Sequence, residues 1–464
     1  MPTQLRRYTV AVALPALAAL MLTACGGGTT SSDENSSGAS LAKQVEDVTA
    51  AQLKGTTLQL ARFFGDCTDS VGTSTDAANA VGECPSITTL TNKFNAENKY
   101  GIKVERLGGA TWDTYYDTLN TAFAGGNPPD VAIMHGSNLV DYARRGLLVP
   151  LDDLAAGADI DLSDTVPAAE TAINYDGKNF AVPLDVNGGL IHVNVDLFKQ
   201  AGLVSEDGSA KLPTSPDEFF ADAQKLKQAT GKDYLAIARV GDQLGVHLFE
   251  SLIAQQGGDV LNADGTKSTL NSAESKTALD FLNKMFNEGY ANGEQTYDAA
   301  QQSFLNGDAA ILFSGTWVVD QYDTEAKFDY SAMNLFTLFD QPAVWSDAHT
   351  WVIPTQAKAD PVRYRAALEF VSFLYAHNKD WALSTGHVTA RRSVLDSAEY
   401  QAAPQRASYA SFGQEVAHPV PHIANWPAVS KILVTTIESI WFEGVSVDKA
   451  LEKGSADIDA ALGS

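Results

Sequence analysis

Gly125-Gly126-Asn127-Pro128-Pro129-Asp130-Val131-Ala132-Ile133-Met134 is the stretch that decides the fold class. Before it, Tyr116, Leu119 and Phe123 share one helical face, and the two glycines supply the left-handed backbone on which helices end. The prolines prevent the helix from continuing. The apolar run that follows has no alternation, which marks a strand covered on both faces. Helix, glycine stop and buried strand are the grammar of an α/β sheet with helices packed against it.

The same grammar extends in both directions. Upstream, Thr57-Leu58-Gln59-Leu60-Ala61-Arg62-Phe63-Phe64 alternates as a strand, and Ile87, Leu90 and Phe94 mark an amphipathic helix. Gly101-Ile102-Lys103-Val104-Glu105 reads as the next strand. Downstream, Ala181-Val182-Pro183 reads as a short strand stopped by proline, and Leu190 to Asn194 as a separate one. Ser215-Pro216-Asp217-Glu218 is a capping box opening a helix that Gly231 closes. Asn271 with Glu274 predicts the cap of the following helix, which Gly289 ends. Ala309 to Phe313 is a further buried strand. Pro361 to Tyr375, the stretch carrying Val429, Ile432, Thr436 and Ile440, and Val447 to Leu462 are helices.

The N-terminus has a different character. Arg6 and Arg7 precede an apolar run from Tyr8 to Leu22, then Leu22-Thr23-Ala24-Cys25 and a Gly/Ser/Thr-rich tract. A basic start, a short apolar core and small residues at the cut make a secretory signal, too short for a membrane span. Leu-Thr-Ala-Cys resembles the bacterial lipobox, which implies cleavage before Cys25 and a diacylglycerol on its sulfur. Arg6-Arg7 leaves the twin-arginine export route open. Residues 1–24 are therefore expected to be the signal peptide, and 25–55 the lipidated cysteine and a flexible tether.

Of three cysteines, lipidation of Cys25 leaves only Cys67 and Cys84. They enclose a Gly/Thr/Asp/Asn-rich stretch without apolar periodicity. A disulfide there would stabilise by ~3 kcal/mol and needs an oxidising compartment; two free thiols are the alternative. The formal net charge is −25, and removal of Arg6 and Arg7 makes it −27. No local basic patch offsets it, so nucleic acid is excluded as a partner. With 45% hydrophobic residues, the 464-residue chain has material for large cores, and its length suggests two or three domains.

Six motifs in order carry a resemblance to carbohydrate-specific solute-binding proteins (family 1) of bacterial ABC importers, which include the maltodextrin-binding proteins. They are Leu90-Thr91-Asn92-Lys93-Phe94-Asn95 with Gly101-Ile102-Lys103-Val104; Gly125 to Val131; Tyr142-Ala143-Arg144-Arg145-Gly146-Leu147-Leu148; Tyr175-Asp176-Gly177-Lys178 with Val182-Pro183; Asn194-Val195-Asp196-Leu197-Phe198; and Gly307-Asp308-Ala309-Ala310-Ile311 with Ser314-Gly315-Thr316-Trp317. The resemblance runs from about Thr57 to the C-terminus. It implies a two-lobed periplasmic-binding-protein-like α/β fold, each lobe a mixed sheet flanked by helices, hinged around a ligand cleft. Residues 56–181 and 349–405 are expected to form lobe 1, and 182–348 and 406–464 lobe 2. The implied role is capture of a sugar or oligosaccharide by a monomer anchored by lipid on the outer side of the cell membrane. The implied partner is the set of importer membrane subunits.

Sugars present hydroxyls at the rim and C–H groups on their faces, so a site needs carboxylates, amides and Arg together with aromatic rings. Residues of these types fall where the family places its cleft loops: Asp66, His135, Ser137, Asn138, Asp185, Asn187, Gln255, Trp317, His349, Arg391 and Trp426. Trp317 and Trp426 are expected to stack on sugar faces, and Asp66 and Asp185 to accept hydroxyl hydrogen bonds. No metal site and no cofactor are read from the sequence. Gly-x-Ser-x-Gly, His-Glu-x-x-His and the Gly-x-x-x-x-Gly-Lys loop are absent. A glycan-active hydrolase or a glycan-tethering surface protein is the alternative, because carboxylate pairs are assembled in space and leave no spacing signature.

Overall fold

The strand after Pro128-Pro129 forms at Val131–His135 (β3) and is buried along its whole length. In this computed structural model, which describes residues 41–463 apart from 109–111, 153 and 155–157, β3 sits inside a sheet that runs through the molecule. Asp130, next to the prolines, holds the strand in place. It receives Nε and Nη2 of Arg363 at 2.7 and 2.5 Å and the backbone N–H of Gln59 at 2.7 Å.

The other strands are β1 (Thr57–Ala61), β2 (Lys103–Arg106), β4 (Asn174–Tyr175), β5 (Lys178–Asn179), β6 (Ala181–Asn194), β7 (Asp233–Ile237), β8 (Ala309–Gly315), β9 (Tyr330–Met333), β10 (Val344–Val352), β11 (Val388–Thr389) and β12 (Ala417–Pro419). The main order is β2-β1-β3-β10-β6-β8-β7, with β9 and β11 joined to β6 and β12 to β10. Strands β2, β1 and β3 run parallel, as do β7 and β8. The antiparallel pair β6–β10 joins these two parallel blocks.

Two hydrophobic cores flank that junction. One gathers Leu58, Ile87, Leu90, Val131, Ile133, Leu184, Trp351 and Phe370. The other gathers Val186, Ile191, Leu235, Phe249, Ile311, Phe313, Val388 and Leu433. The cores part at Asp185, since Leu184 belongs to the first and Val186 to the second. Just beyond, Gly188 and Gly189 leave no room for side chains. A Cβ on Gly188 would lie 2.5 Å from the Trp345 carbonyl oxygen, and one on Gly189 2.7 Å from the Phe313 ring.

The two-lobed α/β expectation therefore holds, and several local expectations change. Pro183 does not stop a strand, because β6 is one strand of 14 residues. The register against β10 slips so that Thr350 faces Pro183 and His349 faces Asp185; this bulge accommodates a residue with no N–H to give. The Ser215 box is half as expected. Ser215 Oγ accepts from the Glu218 N–H, but Glu218 turns to the N–H and hydroxyl of Thr214. The next helix is capped by Ser272, one residue after the expected Asn271.

The domain limits also move. Residues 41–55, expected within the tether, are folded, with Val45 and Leu53 buried in the first core. Their apolar spacing lies just past the Ser/Gly tract, whose composition dominates that reading. Residues 388–405 pack with the second core through Val388, Val394, Leu395 and Tyr400, because the chain crosses between Trp381 and Ala382 and β11 then pairs with β6. The expected signal peptide and the expected lipid anchor at Cys25 lie outside the described residues.

Candidate functional site: the cleft between the lobes

Between the cores opens a cleft of about 570 Å³. The first lobe supplies Phe64, three residues beyond β1, and the segment from Val81 to Pro85. The second lobe supplies Tyr297, Gln301, Trp317, Gln321, Thr324 and Glu325. No Lys or Arg lines this cavity among the described residues, whereas Glu83 and Glu325 do.

Trp317 is placed by its neighbours. Its indole lies over Gly315, where an added Cβ would be 2.0 Å from the ring, and its N–H donates to the Tyr297 hydroxyl at 2.8 Å. Burial pushes the Tyr297 phenol up to about 12, so it stays a neutral hydroxyl with its own proton to offer. The opposite wall is pinned by the disulfide between Cys67 and Cys84, whose Cα atoms are 5.9 Å apart. The Gly82 N–H donates to the Ser384 carbonyl at 2.7 Å, and the Ser86 and Ser384 hydroxyls are bonded at 2.7 Å.

Behind Phe64 lies an aromatic and histidine floor. His135 stacks on Phe63 at 4.7 Å and meets His349 at 4.9 Å, with Nδ1 bonded to the Tyr116 hydroxyl at 2.7 Å. Trp112, 55% exposed, meets both Phe63 and His135 edge-on, at 5.1 and 4.8 Å. Burial and the neighbouring His349 hold His135 well below the ordinary histidine range.

Asp185 is fully buried in this floor. Its Oδ2 receives Nδ1 of His349 at 3.1 Å and Nε1 of Trp381 at 2.8 Å, and Oδ1 lies 3.4 Å from the Asn187 amide nitrogen. Burial alone would raise its pKa; His349, His387 and these hydrogen bonds overcome that and hold it below the carboxylate range. For His349 burial works downward, but Asp185 outweighs it and the pKa rises. The expectation that Asp185 offers its carboxylate to a sugar is corrected, because its acceptor capacity is used inside the protein.

Other expected ligand residues are also occupied elsewhere. Asp66 closes its own turn, accepting from the Thr68 hydroxyl and N–H at 2.7 and 3.1 Å, and pairs with Arg106 at 2.6 Å. Those Thr68 bonds, then Arg106, bring its pKa down to about 2. Gln255 is buried and spends its amide on the carbonyls of Phe336 and Ala343 and the N–H of Leu338. Arg391 pairs with Asp164 at 2.8 Å and lies over the Tyr375 ring. Trp426, 5% exposed, is packed into the second core. Ser137 lines a separate space of about 20 Å³, too small for a sugar ring, and its neighbour Asn138 points its amide at the Ser137 hydroxyl. Asn187 is buried beside Asp347 on the neighbouring strand.

Of the expected set, Trp317 lines the cleft, and His135, Asp185 and His349 lie together behind it. Sequence reasoning missed Phe64, Glu83, Tyr297, Gln301, Gln321 and Trp112. Glu83 carried a signal, since it adjoins Cys84 and a disulfide fixes its neighbour. The tryptophan in the glycine-rich stretch Gly108-Gly109-Ala110-Thr111-Trp112 was another.

Two α/β lobes joined by hinge strands around a cleft of this size define a two-lobed binding protein. The chain belongs to the bacterial extracellular solute-binding protein family, whose model matches residues 89–408. It is 26% identical to the maltodextrin-binding protein MdxE of Bacillus subtilis over 80% of this chain and 85% of that protein. In structure it is similar to an ABC substrate-binding protein of Listeria monocytogenes in complex with cycloalternan, with TM-score 0.70, 22% identity, and coverage of 88% of this chain and 100% of that one. It is also similar to UgpB of Mycobacterium tuberculosis in complex with glycerophosphocholine, with TM-score 0.73, 22% identity, and coverage of 88% and 99%. Membership of a binding-protein family favours solute binding over the hydrolase alternative. Among the described residues no helix is long and apolar enough to cross a membrane.

Proposed function

We propose that the protein captures a carbohydrate, an oligosaccharide by the size of the cleft, and hands it unchanged to the membrane subunits of an ABC importer. The observation that carries this reading is the lining of the cleft. Trp317 and Phe64 offer ring faces for C–H groups, while Gln301, Gln321, Glu83 and the Tyr297 hydroxyl offer rim hydrogen bonds. A glycerophosphate, the other ligand class among the similar proteins, would meet two carboxylates and no cation in the same space. Hinge bending across β6 and β10 would close the lobes over the ligand. The protein acts as a monomer, held outside the membrane by a lipid on Cys25, and catalyses no change in the sugar.

A thermal-shift screen across mono- and oligosaccharides and glycerol phosphates tests the ligand class. A ligand specific to the folded state stabilises by ~2.7 kcal/mol at a hundred times Kd. Stabilisation by glycerol phosphates alone would overturn the carbohydrate reading. Trp317→Ala is expected to raise the sugar Kd about tenfold, on the scale of one lost aromatic contact. The ring is only partly buried, so the ligand-free melting temperature should fall less than on loss of the buried Trp426. A large drop in melting temperature with Kd unmoved would make Trp317 a packing residue. Cys25→Ser should move the protein from the membrane to the soluble fraction or leave its signal uncleaved. Unchanged membrane attachment of that variant would refute the lipid anchor.

A further inference from the structure

Glu83, His349 and His387 come from three distant parts of the chain and converge at the floor of the cleft. Glu83 opens the helix Glu83–Glu97 of the first lobe, and His349 lies on β10. His387 follows Gly386, whose φ of +86° and position against the Thr316 carbonyl, 2.4 Å from where a Cβ would sit, suit glycine alone. One ligand-capable atom from each of the three lies within 4.8 Å of the others.

Both rings are oriented from behind. Nδ1 of His349 is held by Asp185 at 3.1 Å, and Nδ1 of His387 by the Thr316 hydroxyl at 2.8 Å. A histidine whose one nitrogen is held by a carboxylate or another oxygen is set to coordinate a metal through the other. The Nε2 atom of His387 already lies 2.9 Å from Glu83 Oε1, close to the ~3.3 Å between neighbouring donors on a tetrahedral zinc ion. Packing fixes the rings further. Trp381 stacks on His387 at 5.6 Å and 8°, and Phe64 meets His349 edge-on at 5.3 Å. Both histidines are buried, while the Glu83 side chain is 26% exposed and borders the cleft. A hydrogen bond alone accounts for the Glu83–His387 pair. It does not account for a second ring, oriented by its own buried carboxylate, converging on the same point.

We propose that Glu83, His349 and His387 form a divalent transition-metal site, zinc by donor type, at the floor of the cleft, with one coordination position open to it. Two imidazoles and one carboxylate are a zinc donor set, and hard cations such as Mg²⁺ or Ca²⁺ prefer all-oxygen ligands. Glu83 belongs to the first lobe and His387 stands where the chain enters the second core, so a bound ion ties the two lobes together. The open position takes water or an oxygen of whatever solute occupies the cleft. The inference does not depend on that solute being a sugar.

The test uses the untagged exported chain, stripped with a chelator that is then removed. Zinc chloride is titrated by calorimetry, and cobalt chloride by visible absorption. The expected results are one ion per chain, a cobalt band of tetrahedral intensity and a raised melting temperature. Zinc should bind at least tenfold more weakly to Glu83→Gln and to His387→Gln. Affinity should be unchanged in His418→Ala, which removes the surface pair with Asp259. Glu83→Gln preserves shape and an acceptor for His387, so it decides the matter together with the cobalt spectrum if His387→Gln fails to melt cooperatively. Absence of saturable binding, full affinity in Glu83→Gln, or loss of binding in His418→Ala each overturns the site. Sugar titration in excess chelator separates the two proposals. Sugar binding in a chain that takes up no zinc overturns the metal site alone, and zinc uptake in a chain that binds no sugar supports it while counting against the carbohydrate reading.

Discussion

Asp185→Ala is expected to destabilise the protein by about 3–5 kcal/mol, on the scale of two buried hydrogen bonds to a carboxylate at ~1.5–3 kcal/mol each. The size of the effect follows from where the residue sits. The chain passes between the lobes on β6, on β10 and again between Trp381 and Ala382, and Asp185 lies at the first of these crossings. It receives His349 from the second and Trp381 from the third, at 3.1 and 2.8 Å. Alanine leaves the buried His349 ring without the partner that holds its Nδ1. It also orphans the Trp381 N–H. Asp185→Asn keeps one acceptor oxygen in place and should cost visibly less. Chemical denaturation of the ligand-free protein measures both. A loss below about 1 kcal/mol for the alanine variant would mean that the hinge crossings are held by packing alone, since even one hydrogen bond to a charged group contributes ~1.5–3 kcal/mol.

Trp426→Ala should cost a similar ~3–5 kcal/mol, as a large buried ring leaves a cavity its surroundings fill only in part. Trp426 is 5% exposed, begins the helix Trp426–Glu443 and packs into the second core. Asn425, just before it, bonds through its amide to the Ala461 carbonyl at 2.8 Å, tying the start of that helix to the C-terminal one. Solute affinity of the folded fraction should be unchanged, since the ring does not line the cleft. Loss of affinity with an intact melting temperature would place Trp426 in the ligand site after all. The pair Trp317 and Trp426 thus separates by measurement what residue type alone cannot: one ring costs binding, the other costs folding.

The amino-acid sequence by itself determined the class of fold. Gly126, with φ of +69°, ends the helix Tyr115–Ala124, and Val131–His135 is buried throughout, as the glycine stop and the unbroken apolar run required. These signals are local: turn chemistry and apolar periodicity act within a few residues and survive any tertiary arrangement. The pairing of Cys67 with Cys84 was legible for a related reason, because the two lie 17 residues apart around a stretch without apolar periodicity.

Which polar side chains face the cleft was decided only by tertiary structure. Asp66, Asp185, Gln255 and Arg391 have the right chemistry for a sugar rim, and each meets an internal partner first: Arg106, His349, backbone groups at 336–343, and Asp164. Sequence spacing carries no information about such partners, because they lie far away along the chain. The same holds for the convergence of Glu83, His349 and His387, and for the place where the chain last changes lobes. Burial is the physical reason. A polar group sealed from water must find a hydrogen-bond partner inside the fold, and only the folded arrangement determines which groups are sealed and which remain free to bind a solute.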